Sequence, residues 1–237
     1  MQNTPNNVIS VVIPAYNEEK TIGSVIEETL QVMDSLGLPY EIIVVDDGST
    51  DGTKEIASKY KARVLSNGRN QGKGYALRKG FQHARGEIVV TIDADGSHKP
   101  KEIPDLLYPL FNGADIVAGS RFLGKGEDYT SKLHMLGNHL INMTIMLLTR
   151  KLITDSQTGL RAFKRKLLEK VNLESYGYEI ETEITVKGLK NGFKFQEIPI
   201  SCQKREHSVS RLRILSDGFK ILKTILTSVA KNNNGDS

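Results

Sequence analysis

Short apolar runs that end in polar clusters alternate with helical patterns through the first half of the chain. We predict strands at residues 8–13, 41–45, 63–66, 88–92 and 115–118, and helices at 19–35, 53–60, 74–84 and 100–111. Strands separated by helices at this spacing indicate βαβ crossovers and a mainly parallel sheet. The sequence therefore predicts an α/β fold in which helices flank a mostly parallel sheet. Ligands of such sheets bind beyond the carboxyl ends of the strands.

The second half carries two long helical patterns with broad apolar stripes. Residues 131–150 and 211–229 have these stripes flanked by Lys, Arg and His, as helices at a membrane interface do. Packing against the sheet or a second subunit is the alternative. Between them we predict a polar loop at 154–163, a helix at 178–190 and a strand at 193–201. No linker divides the chain, so we expect one domain over residues 1–230 and a disordered tail at 231–237.

Charge and cysteine content narrow the class of protein. The net charge is +4, and seven Lys and Arg against two acids fall between residues 204 and 231. A basic carboxyl-terminal segment indicates a phosphate-bearing partner, although a solvated helix face is the alternative. The single Cys202 excludes an intramolecular disulfide framework. No apolar stretch approaches the ~20 residues of a membrane span, and residues 1–7 do not resemble a signal peptide, so we expect a soluble or peripheral protein.

Two acids directly follow the apolar run 88–92. Residues i and i+2 of an extended chain project to the same side, so Asp93 and Asp95 are predicted to converge on one ligand. Carboxylate oxygens suit Mg²⁺ or Mn²⁺, which complete their coordination shells with substrate phosphates and water. The pair predicts a site for a divalent cation that carries a diphosphate. A turn with two solvated carboxylates is the alternative.

Two other polar clusters follow predicted strands. The turn at Pro14 can present Tyr16 to a nucleobase and Glu18 to ribose hydroxyls, although acids at a helix entry are also favoured by the helix dipole. Asp46 and Asp47 follow the next apolar run, and one helix cap needs only one of them. Both clusters are predicted to face the same crevice as Asp93 and Asp95.

These residues belong to an ordered series of motifs. The series VVIPAYNE at 11–18, VVDDGSTDGT at 44–53, NQGKGYALRKG at 70–80, DADG at 93–96 and GSR at 119–121 resembles the family-2 glycosyltransferases of the GT-A (Rossmann-like) fold. TDSQTGLRAF at 154–163, YEIETEI at 178–184 and the basic residues after 204 resemble the polyprenyl-phosphate (dolichol-phosphate) hexose synthase branch. The resemblance covers nearly the whole chain.

The resemblance implies roles for individual positions. It implies a metal site at Asp93 and Asp95 and phosphate-binding or catalytic roles for Asp95, Arg121, Arg205 and Arg211. The implied nucleotide-binding residues are Pro14, Ala15, Tyr16, Glu18, Asp46, Asp93 and Ala94. Lys73 could bind a phosphate; the alternative is a solvated lysine at the start of a helix. Asp155, Gln157 and Glu181 are candidates for the sugar pocket. The alternative for the two acids is a helix cap or a solvated carboxylate. Ser97 departs from the family pattern, which usually has Gln there, so a water or His98 is left as a further ligand.

The implied activity is an inverting transfer of a hexose from a nucleoside diphosphate sugar to a polyprenyl or dolichyl phosphate, with Mg²⁺ or Mn²⁺ as cofactor. The Ser97 departure favours a UDP-sugar over GDP-mannose. The expected location is peripheral, on the cytoplasmic face of a membrane; a homo-oligomer is compatible with the sequence, and nucleic acid is not an expected partner. A soluble transferase acting on a sugar or protein hydroxyl and a non-catalytic nucleotide-sugar sensor are the alternatives.

Overall fold

The computed structural model describes residues 8–123, 132–202 and 214–230. Its strands are β1 (Ile9–Ala15), β2 (Tyr40–Asp46), β3 (Arg63–Ser66), β4 (Ile88–Thr91), β5 (Ile116–Ser120), β6 (Arg161–Lys164) and β7 (Phe195–Pro199). Its helices are α1 (Ile22–Leu36), α2 (Thr53–Ala57), α3 (Lys73–His83), α4 (Ile103–Phe111), α5 (Lys132–Thr149), α6 (Lys166–Lys170), α7 (Ile180–Lys190) and α8 (Ile214–Ala230).

The seven strands form one sheet in the order β3-β2-β1-β4-β6-β5-β7. The pairs β1–β2, β1–β4, β2–β3 and β5–β7 are parallel, and β6 runs antiparallel to both β4 and β5. The predicted α/β fold with a mostly parallel sheet is confirmed. The predicted loop at 154–163 is wrong in its last part, because β6 begins at Arg161. A four-residue strand that opens with a fully buried arginine has no apolar run to reveal it.

Apolar side chains cover both faces of the sheet, and this fixes where the helices pack. Along β1, Val11 and Ile13 enter one cluster with α1 and α4, while Val12 enters another with α3 and α7. Successive residues of a strand point to opposite faces, so a strand buried on both sides is apolar throughout. The polar residues that follow such strands are therefore confined to the edge of the sheet where their carboxyl ends meet.

Helices α5 and α8 pack against one another and expose a second apolar face. Their buried contact uses Ile141 and Ile145 of α5 and Ile221 and Ile225 of α8. The exposed apolar side chains on the two helices are Leu140, Met143, Met146, Leu147, Leu148, Phe219, Leu222 and Leu226. Of the predicted stripes, Leu140, Met143, Leu147, Phe219, Leu222 and Leu226 are exposed, whereas Val229 packs against the buried contact between the helices. Residue 131, residues 211–213 and the tail 231–237 lie outside the described part.

Among the described helices, none is both long and apolar enough to cross a membrane.

Candidate active site

A cavity of about 480 Å³ lies at the edge where β1, β2 and β4 end. Its walls are formed by Pro14, Ala15, Tyr16, Glu18, Asp47, Asn70, Gly72, Lys73, Ala76, Asp93, Ala94, Asp95, Gly177, Tyr178, Asp217 and Lys220. The antiparallel direction of β6 brings its amino end, and the loop before it, to this same edge. The topology thus gathers polar segments that are far apart in sequence, where α/β sheets bind ligands.

The turn after β1 is held in place by the loop after β2. Asn17 has a positive φ of 54°. Its backbone N–H donates to Ser49 Oγ at 2.9 Å, and the N–H of Glu18 donates to Thr53 Oγ1 at 2.8 Å. These bonds fix the backbone from which Tyr16 and Glu18 line the cavity.

The two adjacent acids at the end of β2, Asp46 in the strand and Asp47 directly after it, face different surroundings. Asp46 is buried and accepts hydrogen bonds from the Ser49 N–H and the Ser66 hydroxyl, both at 3.0 Å. Asp47 lines the cavity and accepts from Asn67 Nδ2 and the Gly72 N–H, both at 2.7 Å. Burial raises the pKa of Asp47, and these hydrogen bonds offset the rise only in part. The structure therefore places Asp46 in the support of the loop and Asp47 on the cavity wall.

The glycines at 72 and 74 allow the start of α3 to lie against the backbone of residues 175–177. Gly72 has a φ of 102°, and a Cβ on Gly74 would lie 2.6 Å from the carbonyl oxygen of Ser175. The N–H of Tyr75 donates to the carbonyl of Tyr176 at 3.2 Å. The motif thus brings two backbone segments together, and Gly177 and Tyr178 become part of the cavity wall.

Lys73 joins Asp93, which is partly exposed to the cavity, to the buried Glu181. Its Nζ lies 2.6 Å from Asp93 Oδ1 and 2.7 Å from Glu181 Oε1. Burial alone would lower the pKa of the Lys73 ammonium, but the charges of Asp93 and Glu181 outweigh that effect and raise it. Burial raises the pKa of Glu181, and the charge of Lys73 offsets only part of the rise. Lys73 is therefore a largely buried, charged link between the loop after β4 and α7, not a solvated helix-start residue.

Asp95 is oriented by the residue at which the sequence departs from the family pattern. Ser97 donates to Asp95 Oδ1 through its hydroxyl at 2.6 Å and its N–H at 2.9 Å. His98 is buried, with Nδ1 3.3 Å from Ser97 Oγ and Nε2 3.3 Å from Thr158 Oγ1. Ser97 and His98 thus form a support behind Asp95.

The carboxylates of Asp93 and Asp95 suit a divalent cation by charge and by ligand type. In the part of the chain that the structure describes, no three His, Cys, Asp or Glu side chains form a group that could hold a metal ion. A cation at this pair would therefore take its further ligands from the diphosphate of a substrate and from water, which is the usual arrangement for Mg²⁺.

Arg121 and Asp155 form a two-point ion pair beside β5. Arg121 Nε and Nη2 lie 2.7 and 2.9 Å from the two carboxylate oxygens of Asp155, which is fully buried. The charge of Asp155 outweighs the effect of burial and raises the pKa of Arg121. Glu197 accepts the N–H groups of Thr154 and Asp155 and holds this loop in place. In this structure the carboxylate of Asp155 therefore binds and orients the guanidinium of Arg121.

A second, mostly apolar cavity of about 630 Å³ lies beside that ion pair. It is lined by Phe122, His139, Asn142, Met143, Met146, Leu152, Ile153 and Thr154. The guanidinium carbon of Arg121 lies 5.8 Å from the centre of the Phe122 ring. Asn142 donates to the carbonyl of Thr154 at 2.6 Å, so α5 is tied to the loop that carries Asp155.

Arg161 is a site residue that sequence reasoning missed. It is fully buried, and its guanidinium donates to the carbonyls of Ser156, Thr158 and Glu181. These bonds join the loop before β6 to α7. An arginine next to apolar residues in a short strand gave no signal of this role, since backbone carbonyls accept most of its hydrogen bonds and its contacts with Glu181 and Thr185 depend on how α7 packs.

The other predicted residues fall into three groups. The cavity wall contains Pro14, Ala15, Tyr16, Glu18, Lys73, Asp93, Ala94 and Asp95. Asp46, Arg121, Asp155, Gln157 and Glu181 are not among the residues that line it. The backbone N–H of Gln157 donates to Asp155 Oδ1 at 3.4 Å, and its buried Nε2 has no hydrogen-bond partner among the residues that the structure describes. Arg205 and Arg211 lie outside the described residues.

The fold is that of a GT-A glycosyltransferase, and comparisons with known proteins agree. The sequence profile of Glycosyl transferase family 2 matches residues 10–171. An uncharacterized protein, MJ1222, from Methanocaldococcus jannaschii is 41% identical over 90% of this chain and 89% of its own length. The chain belongs to glycosyltransferase family 2.

Two further relatives bear names that describe an activity. A dolichol-phosphate mannosyltransferase from Pyrococcus furiosus is 34% identical over 86% of this chain, which spans only 59% of that protein. A glucosyl-3-phosphoglycerate synthase from Mycobacterium tuberculosis, crystallised with Mn²⁺, UDP and phosphoglyceric acid, superposes with a TM-score of 0.76. It is 28% identical, and the match covers 94% of this chain and 79% of that one.

Proposed function

We propose that the chain transfers a hexose from a nucleoside diphosphate sugar to a polyprenyl or dolichyl phosphate, with inversion at the anomeric carbon. One juxtaposition carries the proposal. The cavity with Asp93 and Asp95 and the apolar cavity beside Arg121 lie at the same edge of the sheet, the first where β4 ends and the second where β5 ends. A sugar nucleotide needs the first kind of surface, and a lipid that ends in a phosphate needs the second next to a cation. The dolichol-phosphate mannosyltransferase among the relatives supports this acceptor class.

In this proposal the donor nucleoside lies along Pro14–Glu18 and Asp47, with its diphosphate toward Asp93 and Asp95. Mg²⁺ or Mn²⁺ bound at the two aspartates would neutralise the departing diphosphate. Lys73 keeps Asp93 and Glu181 in position, since it contacts both. A UDP-sugar is our preferred donor, ahead of GDP-mannose. The M. tuberculosis neighbour crystallised with UDP and Mn²⁺ supports that preference.

The acceptor chemistry requires positioning more than proton removal. A phosphate monoester carries a negative oxygen at neutral pH because its second pKa is near ~6. That oxygen attacks the anomeric carbon, and the bond to the diphosphate oxygen breaks as the nucleoside diphosphate leaves with its electron pair. Arg121, with Arg205 and Arg211, is assigned to hold the acceptor phosphate against the repulsion of the donor diphosphate.

The exposed face of α5 and α8 supports a peripheral contact with a membrane. Leu147 is 71% exposed and Phe219 is 70% exposed, and such contiguous apolar surface is unusual on a monomeric protein. Arg150 and Lys151 follow directly after α5 and suit anionic lipid. We assign the cytoplasmic surface of a bilayer as the occupant of this face, because the acceptor itself is a lipid.

A transferase that acts on a small hydroxyl acceptor is the second candidate. The structural similarity to a glucosyl-3-phosphoglycerate synthase favours it. In that reaction a carboxylate must remove a proton, so activity would fall much more steeply when Glu181 or Asp155 is replaced.

The test is a transfer assay with purified protein, Mn²⁺ or Mg²⁺, a short polyprenyl phosphate and a panel of labelled UDP- and GDP-sugars. One donor is expected to give an acid-labile, organic-extractable product, and Asp95→Ala is expected to abolish it while circular dichroism stays unchanged. Binding or hydrolysis of a donor without lipid labelling would contradict the acceptor and favour the hydroxyl candidate. Donor binding without any turnover would favour the sensor.

A further inference from the structure

Helix α8 contributes to the donor cavity as well as to the exposed apolar face. Asp217 and Lys220, one turn apart near its start, line the same cavity as Tyr16, Glu18 and Asp95. Phe219, between them in sequence, belongs to the exposed apolar stripe. Helix α8 lies more than a hundred residues from these strand ends in sequence; the basic segment 204–231 indicated a phosphate-bearing partner but did not single out Asp217 or Lys220.

The cavity wall has two cations among its described residues, and their situations differ. Lys73 is held between two carboxylates at 2.6 and 2.7 Å, with 15% of its side chain exposed. Lys220 has 59% of its side chain exposed and lies 3.4 Å from Asp217 Oδ1. Because the Lys220 ammonium is largely in solvent and the separation is long, its pair with the mostly buried Asp217 contributes little, and Lys220 can move to a new partner at small cost. Of these two lysines, Lys220 is therefore the one whose ammonium can move to contact an anion that enters the cavity.

We propose that Lys220 binds a phosphate group of the ligand that occupies this cavity, and that the phosphate is part of the donor diphosphate. The inference rests on the proposed function for the identity of the ligand. A diphosphate brings more than one negative charge into a cavity that already holds Asp47, Asp93 and Asp95. Lys73 is committed to Asp93 and Glu181, so a second cation is needed to balance the diphosphate along with the metal. Lys220 lies on the wall where it can supply that charge.

The closest control is on the same helix. Lys223 is an exposed residue of α8 that does not line the cavity. Lys220→Gln and Lys223→Gln remove the same charge, so a general electrostatic effect would appear in both variants. Lys220→Arg keeps the charge and is expected to retain most of the binding.

The experiment is a calorimetric titration with UDP, GDP, uridine and guanosine in the presence of Mn²⁺. Lys220→Gln is expected to weaken binding of the preferred diphosphate about tenfold, which is ~1.4 kcal/mol, and to leave binding of the matching nucleoside unchanged. Lys223→Gln is expected to stay within about twofold of the wild type. An equal loss in both variants would overturn the inference, as would an equal loss for nucleoside and diphosphate.

A kinetic experiment identifies the source of the phosphate. Unchanged nucleotide binding in Lys220→Gln, together with an about tenfold higher KM for a short polyprenyl phosphate, would assign Lys220 to the acceptor phosphate. Unchanged nucleotide affinity and unchanged KM would overturn the inference. Wild-type protein that binds diphosphate but transfers no hexose to the lipid would overturn the proposed function alone, because the Lys220 comparison is still read from the titration.

Discussion

Gly159 lies directly against the carboxylate of Asp93, where a Cβ on residue 159 would come within 2.6 Å of Asp93 Cγ. The carbonyl of Gly159 accepts a hydrogen bond from Thr91 Oγ1 at 2.8 Å, so the backbone of this residue is tied to the end of β4. A residue with a Cβ at position 159 therefore fits only if the Asp93 carboxylate shifts. Any side chain there must displace Asp93 from the position in which Lys73 holds it.

We therefore predict that Gly159→Ala lowers kcat/KM for transfer at least tenfold with little change in overall fold. A displacement of about 1 Å at a reacting site can cost a hundredfold in rate. Gly137→Ala in α5 is the matched control, because a Cβ there meets no atom within 4 Å. Steady-state kinetics and thermal melting of the two variants check the prediction. Wild-type kinetics in Gly159→Ala would show that the position of Asp93 is not needed for transfer.

Removal of the Lys73 side-chain charge tests the buried ion pairs. Lys73→Met leaves Asp93 and Glu181 close together without their shared cation, and we expect a loss of roughly 3–5 kcal/mol in unfolding free energy. Urea denaturation in the presence of a chelator measures it without help from a bound metal. Lys54→Met, at an exposed position in α2, is the control and is expected to stay within about 0.5 kcal/mol of the wild type. A Lys73→Met protein as stable as this control would contradict the structural role.

The sequence was sufficient to predict where these strands lie to within one or two residues, and the polar clusters near their ends, because burial on both faces makes strands such as β1 and β4 nearly continuous apolar runs. It was not sufficient for β6, which is short and begins with the buried Arg161. It also could not show that Lys73 contacts Glu181, because the contact joins α3 to α7 and depends on the packing of both. Local sequence patterns predict individual helices and strands, but a contact between elements that are distant in sequence can be identified only once the fold is known.

Replacement of Asp46, the last residue of β2, and replacement of Asp47 directly after it are expected to have different effects on stability and on nucleotide binding. Asp46→Asn disturbs the bonds to Ser49 and Ser66 and should lower the unfolding free energy by roughly 1–3 kcal/mol, with nucleotide affinity within about twofold of the wild type. Asp47→Asn, on the cavity wall, should weaken nucleotide binding about tenfold. Chemical denaturation and calorimetric titration of both variants separate the two effects. Weaker nucleotide binding in Asp46→Asn and lower stability alone in Asp47→Asn would instead assign the nucleotide contact to Asp46.

Asp115, directly before β5, gives a prediction about acid stability. Burial alone would raise its pKa, but Lys166 Nζ at 2.7 Å, the Lys194 N–H at 3.0 Å and Lys164 outweigh burial and lower the pKa below its ordinary value of 3.8. The unfolded chain therefore binds this proton more tightly, so the stabilisation by Asp115 is present above pH 3.8 and is lost as the pH falls through the folded-state pKa.

Asp115→Asn should accordingly lower the urea midpoint at about pH 7, and the difference from the wild type should shrink as the pH falls below that ordinary value. Asp105→Asn, at an exposed acid in α4, is the control and should track the wild type throughout. Urea titrations at several pH values measure the three proteins side by side. A difference between Asp115→Asn and the wild type that stays constant across the acid range would mean that the contribution of Asp115 does not depend on its charge.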